Sequence, residues 1–193
     1  MISKAQVKHI RSLEDKKYRY ECKQFTIEGA KMLEECLKSG FEIMQIYAVS
    51  NWIHRKQLLP GMLSLTTEVS DTELSRISNL KTPPEVLAVV KMPIRDHLPL
   101  ISKAIALDQI QDPGNLGSII RIADWYGIDH LICSLHTADV FNSKVLQATM
   151  GSIFRVQCYY TDLRSFFLER SHPDLYACVL DGRSVNSLGN LKE

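Results

Sequence analysis

The stretch that decides the fold is Ala106-Leu-Asp-Gln-Ile-Gln-Asp-Pro-Gly-Asn-Leu-Gly-Ser-Ile-Ile-Arg-Ile-Ala-Asp-Trp-Tyr-Gly127. It continues an apolar strand, breaks into the polar turn Asp112-Pro-Gly-Asn115 and restarts as an apolar-periodic helix that carries one arginine, Arg121. A strand, a tight polar turn and a helix N-terminus are the usual setting of a ligand site in a parallel α/β sheet. The stretch therefore predicts such a sheet, with a ligand site after this strand.

Asn115 and Arg121 are the side chains of this stretch that we expect to meet at the ligand. Asn115 is a favourable N-cap for a helix predicted to begin at Leu116. Arg121 lies six residues later, about 9 Å along the helix axis, and helical side chains lean toward the N-terminus. The two side chains are therefore predicted to converge. The alternative is that Asn115 only caps the helix while Arg121 pairs with Asp124 at i+3.

Hydrophobic periodicity predicts an α/β protein of two domains. The predicted strands are 25–27, 41–49, 63–69, 86–90, 104–107, 130–135, 154–159 and 175–180, and the predicted helices are 30–38, 51–59, 70–80, 116–126, 143–151 and 161–171. Asn51 is the expected cap and Pro60 the expected end of the second helix, while Gly117 is expected to allow a close helix contact. Strict βα alternation after residue 101 predicts a parallel sheet. We place one domain at 1–92, a linker with two prolines at 93–100 and a second domain at 101–193.

The composition is that of an ordinary globular protein, with 45% hydrophobic and 23% charged residues among 193. No apolar run reaches membrane-spanning length, and the first residues do not resemble a signal peptide. The five cysteines form no Cys-x-x-Cys pair and the six histidines no His-x-x-x-His pair. Neither a disulfide framework nor a metal site is indicated, and we expect a cytoplasmic protein without metal.

The net charge of +1 hides an asymmetry along the chain. Residues 1–95 carry 15 Lys and Arg against 11 Asp and Glu, whereas residues 96–193 carry 8 against 11. The excess is greatest in the first 23 residues, where Tyr18 and Tyr20 lie among the cations. Such a segment suits a phosphate-rich partner such as RNA. A solvated, charged helix is the alternative that composition leaves open.

Several segments resemble the SpoU/TrmH branch of the SPOUT RNA methyltransferases. Residues 107–128 are similar to the first signature motif of that family, and Asn142-Ser-Lys-Val-Leu-Gln-Ala-Thr-Met-Gly-Ser-Ile-Phe-Arg-Val156 is similar to the second, with Ser143 where proline is usual. The segments that resemble its RNA-substrate-binding domain are Arg11-Ser-Leu-Glu-Asp-Lys-Lys-Tyr-Arg19, Phe25-Thr-Ile-Glu-Gly29 and Thr82-Pro-Pro-Glu-Val-Leu-Ala88. The resemblance implies a small L30e-like α/β domain followed by a parallel-sheet SPOUT domain with an α/β knot.

The same resemblance implies an activity and its residues. The activity is S-adenosyl-methionine-dependent methylation of a ribose 2′-hydroxyl in rRNA or tRNA, by a homodimer. Arg121 and Asn115 match the arginine and asparagine of the first motif and are the implied catalytic residues. Because arginine stays protonated, we expect Arg121 to stabilise the developing alkoxide electrostatically. The predicted RNA-binding residues are Arg11, Lys16, Lys17, Arg19, Glu28 and Gly29.

The third motif of that family has no counterpart in the sequence up to Glu193. This motif, a Gly-x-Glu loop and a Ser-Leu-Asn helix start, completes the knot and most of the cofactor pocket. We therefore expect the second domain to be incomplete at its C-terminus, with Leu180, Asp181 and Gly182 as the remaining cofactor contacts. A non-catalytic RNA-binding protein is the first alternative function. A Rossmann-like enzyme acting on a small molecule is the second, although the Gly-x-Gly-x-x-Gly spacing is absent.

Overall fold

The computed structural model describes residues 1–56, 60–94, 103–169, 175–179, 181–182, 184 and 187. The N-terminal elements are α1 (Lys4–Ser12), α2 (Lys16–Cys22), β1 (Gln24–Glu28), α3 (Ala30–Lys38), β2 (Ile43–Ala48), α4 (Ser50–Lys56), α5 (Pro60–Ser64), β3 (Thr66–Glu68), α6 (Asp71–Ile77) and β4 (Val86–Lys91). The later elements are β5 (Ile105–Leu107), α7 (Pro113–Trp125), β6 (His130–Ser134), α8 (Ser143–Thr149), β7 (Gln157–Thr161) and α9 (Leu163–Glu169). These described elements form two β-sheets, one in each half of the chain.

The N-terminal domain is built on a four-stranded mixed sheet with the strand order β1-β4-β2-β3. β4 pairs antiparallel with both β1 and β2, whereas β3 runs parallel to β2. Apart from Lys91, every residue of β4 is buried, as its central position in the sheet requires. The predicted helix 30–38 and the predicted buried strand 86–90 are both confirmed.

The second domain contains, in its described part, a three-stranded parallel sheet with the order β5-β6-β7. Helices α7 and α8 connect these strands in turn, so the parallel sheet predicted from βα alternation is confirmed. Gly117 allows α7 to pack closely on α8, because a Cβ there would lie 2.4 Å from Ala148 Cβ and 3.0 Å from the Val145 carbonyl oxygen. The close contact expected at Gly117 is therefore present.

The two domains share one cluster of buried apolar side chains. Phe25 of β1 packs against Phe141, which precedes α8, with ring centroids 4.7 Å apart. Phe41 and Phe154 form an edge-to-face pair at 5.2 Å across the same junction. Residues 95–100 of the predicted linker lie outside the described residues, and the domain boundaries stay predictions.

The start of α7 differs from the prediction. The helix begins at Pro113, and its N-cap is Asp112, whose Oδ1 accepts a hydrogen bond from Asn115 N at 2.7 Å. Proline is favourable at the first helical position because its fixed φ suits a helix and its missing N–H needs no partner there. The predicted turn is therefore the first turn of the helix, and Asn115 is not the cap.

Two boundaries in the N-terminal domain also differ. Pro60 begins α5 instead of ending a helix, again at a position where proline is tolerated. Because α5 runs to Ser64, the strand predicted at 63–69 is shortened to β3. Asn51 lies inside α4, whose first residue is Ser50, and residues 57–59 of that predicted helix lie outside the described residues. Ser70 caps α6 in a capping box with Glu73, and the helix ends at Ile77, before the predicted end at residue 80.

The last two predicted strands, 154–159 and 175–180, differ from the structure. After Gly151, which has φ of 99°, the chain makes a 3-10 turn at Ser152–Phe154, so β7 begins only at Gln157. Residues 175–179 of the predicted strand 175–180 are exposed and form no strand, because no described strand pairs with them. Leu180 lies outside the described residues.

Candidate active site

The loop between β5 and α7 is held by hydrogen bonds to the segment that follows β6. Gln109 N donates to Ser134 Oγ at 2.8 Å, and Ala138 N donates to the Ile110 carbonyl oxygen at 2.8 Å. Both strands end here, at the carboxyl edge of the parallel sheet, where ligands bind in open α/β folds. The first turn of α7 therefore lies at the edge where the sequence predicted a ligand.

Arg121 projects from the exposed side of α7. It forms neither a hydrogen bond nor an ion pair with any described residue. Asp124, its alternative partner, is bound instead by Arg155, whose Nε donates to Oδ1 at 2.9 Å and whose Nη2 donates to Oδ2 at 2.7 Å. No described residue binds the guanidinium of Arg121, which leaves it available to a ligand.

Asn115 is exposed as well, but α7 does not bring it to Arg121. Because both residues lie within the same helix, their six-residue separation corresponds to about 9 Å along the axis and about 240° around it. The two side chains leave the helix on different faces, which corrects the expectation that helix geometry makes them converge. The catalytic role of each stays a prediction.

Arg155 joins α7 to the N-terminal domain. Besides Asp124, its guanidinium binds Glu35 of α3 through Nη1. Hydrogen bonds from Arg155 hold the pKa of Asp124 and the pKa of Glu35 below their usual range. Gly151 leaves room for this contact, because a Cβ there would lie 2.7 Å from Glu35 Cγ. This network was not predicted from the sequence, although Arg155 lies in the second motif.

A groove of about 740 Å³ lies between α3 and α7. Arg121, Trp125 and Tyr126 line it from α7, and Lys31 lines it from α3, with Arg155 between them. We call this feature the α3–α7 groove. It places the predicted catalytic arginine at the junction of the two domains.

The basic N-terminal segment forms α1 and α2, and three of its predicted RNA-binding cations are exposed. Lys16 and Lys17 extend from α2, where Lys17 lies 3.9 Å from Glu21 in an exposed ion pair. Arg11 of α1 donates from Nη1 to the Ser78 carbonyl oxygen at 3.0 Å. RNA contact by these cations stays a prediction.

Arg19 requires a correction. Its side chain is only 3% exposed, and its Nη2 lies 2.5 Å from Asp139 Oδ2 in the second domain. Nη1 donates to the carbonyl oxygens of Leu13 at 2.8 Å and Glu14 at 2.6 Å. The charge of Arg19 is therefore paired inside the domain junction. Its side chain does not lie on the exposed surface of α2. Sequence alone gives no sign of this, because Asp139 is distant in the chain.

Glu28 is likewise buried. Its carboxylate accepts hydrogen bonds from Ser78 Oγ at 2.5 Å and from Asn79 N at 2.9 Å. Glu28 therefore holds the segment that follows α6, and direct contact between Glu28 and RNA stays a prediction. Gly29 precedes α3 with φ of 96°, a left-handed conformation that favours glycine, and contact between Gly29 and RNA stays a prediction.

The predicted cofactor contacts are only partly described. Asp181 and Gly182 are exposed, and Gly182 N donates to the Val179 carbonyl oxygen at 3.3 Å, while Leu180 lies outside the described residues. The described residues form a turn at this point. Contact between these residues and S-adenosyl-methionine stays a prediction.

The described part of the chain contains no group of three or more His, Cys, Asp or Glu that could hold a metal ion. None of its helices is long and apolar enough to cross a membrane. Burial raises the pKa of the Cys36 thiol to about 12.

Both halves of the chain match known protein families. Residues 102–192 match the SpoU rRNA Methylase family, and residues 4–88 match the MRM3-like substrate binding domain. The chain thus carries a SpoU methylase domain after an MRM3-like substrate binding domain. The fold class predicted from the sequence, an α/β N-terminal domain followed by a parallel-sheet SPOUT domain, is confirmed by solved SpoU/TrmH structures.

Three SpoU/TrmH relatives indicate how far the similarity extends. A 23S rRNA guanosine 2′-O-methyltransferase of Bacillus subtilis is 34% identical over 160 residues, which are 83% of this chain and 63% of the relative. A solved TrmH-family protein of Porphyromonas gingivalis has a TM-score of 0.75 at 33% identity, covering 83% of this chain and 63% of the other. An rRNA methyltransferase of Sinorhizobium meliloti, solved with AdoMet bound, has a TM-score of 0.74 at 30% identity and covers 87% and 66%. This chain therefore spans between 63% and 66% of the length of these relatives.

Proposed function

We propose that the protein methylates a ribose 2′-hydroxyl of rRNA, with S-adenosyl-methionine as the methyl donor. The observation that carries the proposal is the position of Arg121. It lies unpaired among the described residues, on the helix that follows the first strand of a SpoU domain. The Bacillus subtilis relative is named for 2′-O-methylation of 23S rRNA, and the Sinorhizobium meliloti relative was solved with AdoMet bound.

The chemistry that we assign to Arg121 is electrostatic. Methyl transfer to a hydroxyl requires the oxygen to be aligned with the methyl donor and to lose its proton, so negative charge develops on that oxygen. A guanidinium stays protonated and carries five N–H donors in a planar fork. Arg121 therefore stabilises the developing alkoxide or holds the adjacent phosphate, without acting as a base. Since only RNA carries a 2′-hydroxyl, such a site selects RNA over DNA.

The partners and the location follow as further parts of the proposal. An N-terminal domain that matches the MRM3-like substrate binding domain supports RNA as the partner. We propose that the protein acts as a homodimer, as the family resemblance implies. The five scattered cysteines, which form no Cys-x-x-Cys pair, support a reducing, cytoplasmic location.

The test is transfer of labelled methyl groups from S-adenosyl-methionine to purified 23S rRNA by wild type and by Arg121→Ala. Losing one charge-stabilising donor of this kind lowers kcat by about 100-fold to 1,000-fold. Arg164→Ala is the matched control, since Arg164 is also an exposed helical arginine of the second domain. We expect Arg121→Ala to abolish measurable transfer and Arg164→Ala to keep it. Binding of RNA without any methyl transfer by the wild type would favour a non-catalytic RNA-binding protein instead.

A further inference from the structure

Within the described part of the chain, the α3–α7 groove has a small excess of positive charge. Glu35 and Asp124 both bind Arg155, so these three side chains together carry one negative charge. Lys31 and Arg121 are both exposed, and neither forms a salt bridge with a described residue. The groove therefore presents two available cations, one from each domain, to whatever enters it.

The same groove presents two exposed aromatic rings. Trp125 is 85% exposed and Tyr126 is 72% exposed. Trp125 follows Arg121 by four residues, which places both side chains on one face of α7. Neither ring stacks on another aromatic ring within the described chain. Unpaired cations next to exposed aromatic faces are the combination that single-stranded RNA requires, because phosphates bind the cations and bases stack on the rings.

We propose that the α3–α7 groove binds the single-stranded RNA that flanks the target nucleotide, with Lys31 contacting a phosphate and a base stacking on Trp125. The proposal rests on the proposed function, which places Arg121 at the target ribose. The N-terminal domain then contributes directly to the site, because Lys31 follows the Phe25–Gly29 segment by two residues.

Charge argues for RNA over a second copy of the chain as the occupant. A symmetric contact between two copies brings the same surface patch of each together. It would therefore place Lys31 and Arg121 of one copy near the same cations of the other. Phosphates neutralise these charges, whereas a symmetric copy adds to them.

The tryptophans provide a direct test. The chain has two, and they differ completely in exposure: Trp52 is 2% exposed and Trp125 is 85% exposed. We expect a short single-stranded oligouridylate to quench the emission of Trp125 and to protect it from acrylamide. In Trp125→Phe the remaining emission comes from Trp52 and stays unchanged on titration. Trp125→Phe keeps an aromatic face and binds the oligonucleotide, whereas Trp125→Ala binds about tenfold more weakly.

The salt dependence of oligonucleotide binding tests the proposed contact between Lys31 and a phosphate. Loss of one phosphate contact on a single strand reduces the slope of log Kobs against log salt by about 0.7. We expect this reduction for Lys31→Ala. The control is Lys103→Ala, since Lys103 is exposed and does not line the α3–α7 groove; its slope stays at the wild-type value.

Three results would overturn the proposal. One is salt-dependent binding of the oligouridylate with no change in Trp125 emission, which would place RNA elsewhere and leave the methylation proposal intact. Another is protection of Trp125 that depends on protein concentration before RNA is added, which would make a second copy the occupant. The third is no binding at all. The proposed function fails by a separate result, the absence of methyl transfer by the wild type.

Discussion

Substitution of Asp139 by alanine tests the junction between the two domains. Asp139 and Arg19 have side chains only 5% and 3% exposed, and Asp139 also accepts hydrogen bonds from Tyr20 Oη at 3.0 Å and from Phe141 N at 3.3 Å. Asp139→Ala leaves the guanidinium of Arg19 buried beside a small apolar side chain. Breaking a buried ion pair in this way costs about 3–5 kcal/mol of unfolding free energy.

The assays are urea unfolding and thermal unfolding at neutral pH, both followed by circular dichroism. A loss of about 3–5 kcal/mol corresponds to a fall in Tm of about 6–20 °C for a protein of this size. Arg55→Ala is the matched control, because Arg55 and Glu85 form an ion pair whose side chains are 58% and 49% exposed. Removing such an exposed pair costs about 0–1 kcal/mol.

Replacing both residues of the pair separates the cost of a buried, unpaired charge from the cost of altered packing. Arg19→Met with Asp139→Leu removes both charges, and replacing a buried ion pair by apolar residues is often neutral. We expect the double variant to recover most of the stability that Asp139→Ala loses. A cost for Asp139→Ala no larger than that of Arg55→Ala would refute the reasoning.

Two further predictions concern α7 and its contacts. Gly117→Ala places a Cβ 2.4 Å from Ala148 Cβ, so it should lower the unfolding free energy by about 1–3 kcal/mol in a urea titration, with partial recovery when Ala148→Gly is added. An unchanged midpoint would count against the close helix contact. The lowered pKa values of Glu35 and Asp124 predict stability that is complete above their unfolded pKa values, near pH 4, and is lost as the pH falls through the lower folded pKa values. Arg155→Met should flatten this acid loss in unfolding measurements between about pH 5 and pH 2, and an equally steep loss would contradict it.

The sequence predicted the parts of the fold that depend on local patterns. The βα alternation after residue 101 predicted the parallel sheet, and the spacing of apolar residues predicted α3 with its observed bounds. Helix starts were harder, because Asp112 and Asn115 are both good caps. Pro113 decides between them, since it is favourable at the first helical position.

Prediction of the site from the sequence was limited, because the site depends on contacts between residues that are distant in the chain. The sequence singled out Arg121, and the structure leaves it exposed, but the groove around it depends on α3 from the other domain. Arg19 and Glu28 looked like surface residues because their partners, Asp139 and Ser78, are distant in the chain. A pattern of residue types indicates a charged segment, but it does not indicate which of its charges is buried.

Identifying the methylated atom tests the central claim most directly. The rRNA that has received labelled methyl groups from the wild type is hydrolysed in alkali, and its products are separated and identified by mass spectrometry. Alkaline cleavage of RNA needs a free 2′-hydroxyl, so a 2′-O-methyl group blocks cleavage at its own nucleotide. We predict that the label appears in alkali-resistant dinucleotides and is absent when Arg121→Ala is used. Label in mononucleotides methylated on the base, or no label at all, would contradict ribose methylation.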